Sequence, residues 1–212
     1  MRVLSMVSQK GGAGRSSLSA HLAVAYGELG VDVVIVDLDP QASITRWSDS
    51  RTKERPTVVD GFAERLPQML ATAKEAGVDL VIVDTAPHSE KSALAAMRAA
   101  DLVLMPTRPR IFDLRSIADT IALLDIAECR SKAVILLNAV PPRGRIGDEG
   151  FEAAGEYGLE IAPVRLGDRE AFAHALTMGL GVTEYEPKSK AANEIWALAL
   201  FCAKRMQLKI GQ

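Results

Sequence analysis

The sequence predicts a doubly wound α/β protein, with a mostly parallel sheet covered by helices on both faces. Three observations carry this. Short, continuous apolar runs recur along the chain, as expected of strands buried on both faces. Stretches with helical periodicity fall between them, the alternation that builds strand-crossover-strand units. Polar residues with chemical potential follow directly after several runs, where ligands bind in such sheets.

The elements follow in order. Val3 to Val7 is the first strand candidate and runs into a glycine-rich turn. Leu18, Leu22, Ala25 and Leu29 then repeat at helical spacing, and Gly30 ends that helix. Val33 to Val36, Leu80 to Val83, Leu102 to Met105 and Ala133 to Leu137 are further strands, and Ile161 to Arg165 is a weaker one. Helices are expected near 62–76, 89–99, 113–127, 148–157, 168–178 and 190–207. The polar, proline-containing segment Asp49 to Asp60 reads as a surface loop. No linker, repeat or low-complexity stretch divides the chain, so residues 1–212 read as a single domain.

Composition excludes several classes. The 212 residues suffice for a large core, and 48% hydrophobic with 25% charged residues is an ordinary globular balance. A net charge of −2 carries no global basic field for nucleic acid, although a local basic face remains open. Cys129 and Cys202 are too few for a disulfide framework and lack metal-ligand spacing. No basic-then-apolar leader opens the chain and no apolar run is long enough to span a bilayer, so a cytoplasmic protein is expected.

The chemistry concentrates after the runs. The first strand is followed by Gln9-Lys10-Gly11-Gly12-Ala13-Gly14-Arg15-Ser16-Ser17. Glycines let backbone N–H groups approach phosphate oxygens, and the helix behind presents its positive end to the same anion. A cation at Arg15 would sit against the outer phosphates, and the Ser16 hydroxyl would ligate magnesium. The second strand ends in Asp37-Leu38-Asp39-Pro40-Gln41, and the third in Asp84-Thr85-Ala86-Pro87. Carboxylates there suit a magnesium shell or the positioning of water, while a helix cap plus a solvated acid is the plainer reading of the first pair. His88 reads as a surface-loop histidine and Trp47 as a packed aromatic. Leu137 is followed by Asn138, either a strand-end turn residue or an amide that recognises a base. Asp168 is a plausible cap for the helix that follows it.

This set resembles the ParA/MinD family of deviant Walker A ATPases, whose loop reads K-G-G-x-G-K-[ST]. The leading glycine of an ordinary P-loop is replaced by Gln9, and Lys10 opens the loop as in the family. The D-x-D-P-Q run at Asp37 to Gln41 is similar to the family's switch I. The run Pro106-Thr107-Arg108-Pro109 with Phe112-Asp113-Leu114 resembles the segment lining the dimer interface near the nucleotide. The stretch from Leu166, with Gly179 and Gly181, and the last helix of Ser189 to Met206 also have counterparts, so the resemblance spans essentially the whole chain. Arg15 departs from the family, which has lysine there. Arginine keeps the charge, but its planar fork does not replace a compact ammonium.

The resemblance implies ATP with Mg2+ held by residues Lys10, Gly11, Gly12, Ala13, Gly14, Arg15, Ser16 and Ser17, with Asn138 on the adenine. It implies Ser16, Asp37 and Asp84 around the metal, and Lys10, Arg15 and Asp39 as the catalytic set. Lys10 would reach the partner's nucleotide in an ATP-bound homodimer, and Asp39 would orient the attacking water. No cis arginine finger follows from spacing alone, so intrinsic turnover should be slow. The chain looks like a small, ParF-like partition ATPase. It would bind DNA without sequence preference, associate with the nucleoid when ATP-bound, and partition or position a cargo (a plasmid, a chromosome or a large protein assembly) whose bound partner protein stimulates hydrolysis. Lys188, Lys190, Lys204, Arg205 and Lys209 are candidate DNA contacts, although each taken alone reads better as an ordinary solvated helix-face residue. The tail Gln207 to Gln212 is too short for a membrane-binding helix, and the length leaves no room for an N-terminal helix-turn-helix domain. The alternative class is a metabolic or regulatory P-loop enzyme, such as a ligase, or a reductase with cluster cysteines.

Overall fold

The computed structural model describes residues 1–211, and Gln212 of the tail lies outside the described residues. The chain begins with β1 (Arg2–Met6), α1 (Arg15–Glu28), β2 (Val33–Asp37), α2 (Ser43–Asp49) and β3 (Thr57–Asp60). It continues through α3 (Leu66–Glu75), β4 (Leu80–Asp84), α4 (Glu90–Ala99), β5 (Leu102–Thr107) and α5 (Ile111–Ile126). It closes with β6 (Ala133–Leu137), α6 (Ile146–Gly155), β7 (Glu160–Ile161), α7 (Glu170–Thr177), α8 (Val182–Tyr185) and α9 (Lys190–Met206).

The strands form one sheet in the order β3-β2-β4-β1-β5-β6-β7. Every pairing is parallel, so "mostly parallel" sharpens to wholly parallel among the described residues. The continuous apolar runs divide by parity between two cores. Leu4, Met6, Ile35, Ile82 and Leu104 face one layer, with α1 and α9. Val3, Val7, Val81, Val83 and Val103 face the other, with α3 to α6. A two-residue side-chain period on a doubly covered sheet requires this division. α1 is buried along most of its length, and the Tyr26 hydroxyl donates to the Ala199 carbonyl of α9 at 2.8 Å.

Three expectations are corrected. The segment Asp49 to Asp60 is not wholly a loop, because Thr57–Asp60 is the edge strand β3. Its outward residues are exposed and Pro56 precedes it, so neither an apolar run nor a clean alternation marks it. The strand expected at Ile161 to Arg165 is only Glu160–Ile161. Pro163 has no N–H to continue a ladder, and the sheet edge resumes as a single bridge between Val140 and Gly167. Asp168 does not cap α7: Arg169 holds that position, and no side chain bonds the helix N-terminus.

Candidate functional site

β1 lies between β4 and β5, with the chain crossing to one side for β2 and to the other for β5. The strand order therefore reverses at β1, and a crevice opens beyond the carboxyl ends there. The glycine loop after β1 forms one wall. Gly12 and Gly14 have φ of 74° and 97°, a left-handed region that side chains disfavour. Gly14 leads into α1, whose first N–H groups have no intrahelical acceptor. A Cβ on Gly14 would lie 2.2 Å from Asn138 Nδ2, so only glycine permits this approach.

Asn138 Nδ2 donates to the Ala13 carbonyl at 2.8 Å. The amide expected to read a base thus braces the phosphate loop in this conformation, with Oδ1 remaining as an acceptor. Arg15 is likewise turned to its own chain. It is buried, with its guanidinium donating to the carbonyls of Ser8, Lys10 (2.9 Å) and Thr85 (2.9 Å). Those bonds use Nε and Nη1, which leaves the two N–H groups of Nη2. Desolvation lowers its pKa, and the charges of Asp84 and Asp39 work against that. In this conformation Arg15 braces the loop from inside through Nε and Nη1.

The carboxylates converge as the sequence suggests. Asp37 and Asp84 are register partners at the ends of β2 and β4. Asp84 accepts from the Ser16 hydroxyl at 2.7 Å and from Ser19 at 3.2 Å. Burial pushes Asp84 up to about 7, the Ser16 hydrogen bond pulls it down, and Asp37 raises it further. Desolvation also raises Asp37, although it accepts from the Asp39 N–H at 3.0 Å and from Thr45. Asp39 is half-buried and accepts from the Gln41 N–H at 2.9 Å.

The donor set fits magnesium. Among the described residues no group of three or more His, Cys, Asp or Glu could by itself hold a metal. A hydroxyl and one or two carboxylates beside a phosphate loop are what Mg2+ uses, with phosphate oxygens and waters completing its shell. Ser16, Asp84 and Asp37 would hold it.

A cleft of about 190 Å³ continues from the loop, lined by Gly12, Ser17, His21, Arg108, Asn138 and Phe172 among others. His21 is buried against Phe172, with ring centroids 5.3 Å apart. Its Nδ1 accepts from the Val182 N–H at 3.1 Å, and Nε2 is buried without a hydrogen-bond partner. Desolvation lowers its pKa to about 4, against a smaller pull upward from the Phe172 backbone. Lys10 stands at the other side of the loop, half-buried and in no ion pair among the described residues. It borders a second cleft with His88, Phe112, Arg115 and Asp119. Ile111, Phe112 and Ile126 of α5 are exposed near it.

Three residues escape a reading of the sequence. Ser19 and Thr45 orient Asp84 and Asp37, but nothing in their spacing marks them. Arg108 reads there only as part of a proline motif. Its position, a cation just past a strand's carboxyl end, is the available signal. Cys129 and Cys202 are both buried away from the site, and no helix among the described residues is long and apolar enough to cross a membrane.

A parallel sheet with a glycine loop after its central strand, a hydroxyl bonded to a strand-end aspartate and a neighbouring second aspartate defines a P-loop nucleotide-binding protein. The CobQ/CobB/MinD/ParA nucleotide binding domain family matches residues 4–182. "Maintenance of carboxysome distribution protein A" of Gloeobacter kilaueensis is 32% identical over 89% of this chain and 87% of its own. "Protein ParA" of Rhizobium radiobacter is 29% identical over 95% of this chain and 96% of its own. The crystal structure of a ParA family ATPase from Chlorobium tepidum superposes with a TM-score of 0.73 at 23% identity, covering 94% of this chain and 98% of that one, a likeness of fold alone. The chain belongs to the CobQ/CobB/MinD/ParA nucleotide binding domain family.

Proposed function

We propose that the protein is an ATP-dependent dimer switch that positions or partitions a cargo. The observation that carries this is Lys10. The loop holds two cations, and Arg15 has its Nε and Nη1 bonded to carbonyls of its own chain. Lys10 is left unpaired at the loop's mouth, on a cleft that exposed Phe112 and Ile126 also line. An unpaired ammonium next to an apolar face suits a second protomer carrying a nucleotide. Relatives named for carboxysome distribution and for chromosome partitioning support the same direction.

Gly11 to Ser17 would cradle the phosphates, with Asn138 at the base side. Ser16, Asp37 and Asp84 would hold Mg2+, which when bound neutralises charge developing on the transferred phosphoryl group. Asp39 would orient the attacking water. Lys10 from the partner would complete the charge, so the isolated chain would turn over slowly. A partner protein on the cargo would accelerate hydrolysis. The alternative of a cluster-bearing reductase is disfavoured by two buried thiols, with burial holding Cys202 up at about 12.

Non-specific DNA is the proposed track. Lys188, Lys190, Lys204 and Lys209 are exposed, whereas Arg205 pairs with Glu160 at 2.9 Å. Two protomers would double these cations, and such binding weakens steeply with salt. Filter binding of duplex DNA should show retention with Mg-ATP, lost between about 50 and 200 mM salt, and none in the apo state. Equal retention without nucleotide, or none with ATP, would sink the DNA reading. In the ATP-bound state the protein would then be found on the nucleoid.

A further inference from the structure

The cleft beyond the loop contains two arginines in opposite circumstances. Arg169 is neutralised: its guanidinium pairs with Glu194, with Nε to Oε2 at 3.1 Å, and Glu194 also accepts from the Gly167 N–H at 3.0 Å. Those hydrogen bonds raise the Arg169 pKa. Arg108 has no such partner. It is half-buried, its Nε is fully shielded with no hydrogen bond, and it joins no ion pair among the described residues. Its tip lies against the phosphate loop, since a Cβ on Gly12 would be 4.0 Å from Arg108 Nη2.

The backbone holds Arg108 there. It follows β5 directly, and the next residue, Pro109, is buried against α6. Gly150 makes that contact possible, because a Cβ there would lie 2.4 Å from Pro109 Cβ. A half-buried cation without a counter-ion costs stability unless a ligand supplies the charge. A built cation facing an anion-binding loop indicates what the ligand carries.

We propose that Arg108 grips the phosphate chain of the bound nucleotide from the β5 side, the direct cis contact that the self-bonded Arg15 does not supply fully. Its planar fork meets phosphate oxygens across the crevice from Gly12. The inference rests on the nucleotide reading above and adds a residue to it. Arg108 is a binding residue for di- and triphosphates, so its effect falls on the phosphates rather than on the base.

The test uses the full chain, with Mg-ADP and Mg-ATP titrated calorimetrically against wild type, Arg108→Met and Arg108→Gln, together with melting of each apo protein. Both variants should bind ADP and ATP weaker by about tenfold or more, the scale of a lost charge-assisted hydrogen bond. Their apo melting temperatures should match or exceed wild type, because no internal partner is lost. Wild-type affinity in both variants would overturn the role of Arg108 and leave the nucleotide site standing. A fall in apo stability that accounts for the weaker binding would also overturn it, in favour of a structural arginine. Absence of ADP and ATP binding by the wild type would instead overturn the nucleotide reading, and this inference with it.

Discussion

At the scale of single residues, two side chains set testable limits. Arg15 donates to three carbonyls, and its burial removes the freedom that a lysine ammonium has to follow a moving phosphate. Arg15→Lys should therefore raise the steady-state ATPase rate; a rate no higher than that of the natural protein would contradict this. His21 gives a pH dependence. Its folded pKa, about 4, lies below the ordinary value of 6.5. Between those values the unfolded chain takes up a proton that the native state refuses, so stability falls as pH falls. The loss reaches about 3 kcal/mol by pH 4. His21→Asn, which keeps an acceptor near the Val182 N–H, should flatten that part of the urea-midpoint profile, and an unchanged slope would contradict it. Most of the candidate site is legible at this scale, since Lys10 and Ser16 lie in the loop and helix after β1 and Asp37 and Asp84 end β2 and β4. The bonding of Arg15 and Asn138 was not legible. Arg15 meets Thr85 across 70 residues and Asn138 meets Ala13 across 125, and no local pattern encodes such proximity.

Elements explain how the loops are held. α2 follows the Asp37–Asp39 turn, and its far end is clamped to the start of α8. Arg51 donates to the Gly179 carbonyl at 2.9 Å and pairs with Glu184 at 3.1 Å, while its guanidinium lies 4.8 Å over the Trp47 ring. Glu184 also takes Lys53 and caps α8 through the Gly181 N–H. Burial alone would raise the Glu184 pKa, but the hydrogen bonds of Arg51 and Lys53 hold it low. Arg51→Met would leave the shielded Glu184 with only Lys53 and the Gly181 N–H, and urea denaturation should show a loss of about 2 kcal/mol. A change within about 0.5 kcal/mol would show the clamp to be idle. The strongly periodic elements were readable because each run is long and buried. β3 escaped because an edge strand keeps only half its pattern, and the weaker strand expected from Ile161 is cut short because Pro163 interrupts the run.

For the whole molecule, the sheet order puts β1 between β4 and β5, so the phosphate loop, both aspartates and the Pro109 turn meet at one edge. α5 flanks that edge with Phe112 and Ile126 exposed, and Lys10 emerges beside them. One surface thus carries the nucleotide loop, an unpaired cation and apolar side chains. That arrangement suits assembly gated by what occupies the loop, because a second protomer would meet the nucleotide and the apolar face together.

Sedimentation velocity on wild type and Lys10→Ala, each apo, with Mg-ADP and with Mg-ATP, tests this most directly. Wild type should be monomeric when apo or with ADP and dimeric with ATP. Lys10→Ala should bind ATP yet remain monomeric. A dimer that forms regardless of nucleotide, or a Lys10→Ala protein that dimerises like wild type, would contradict the switch.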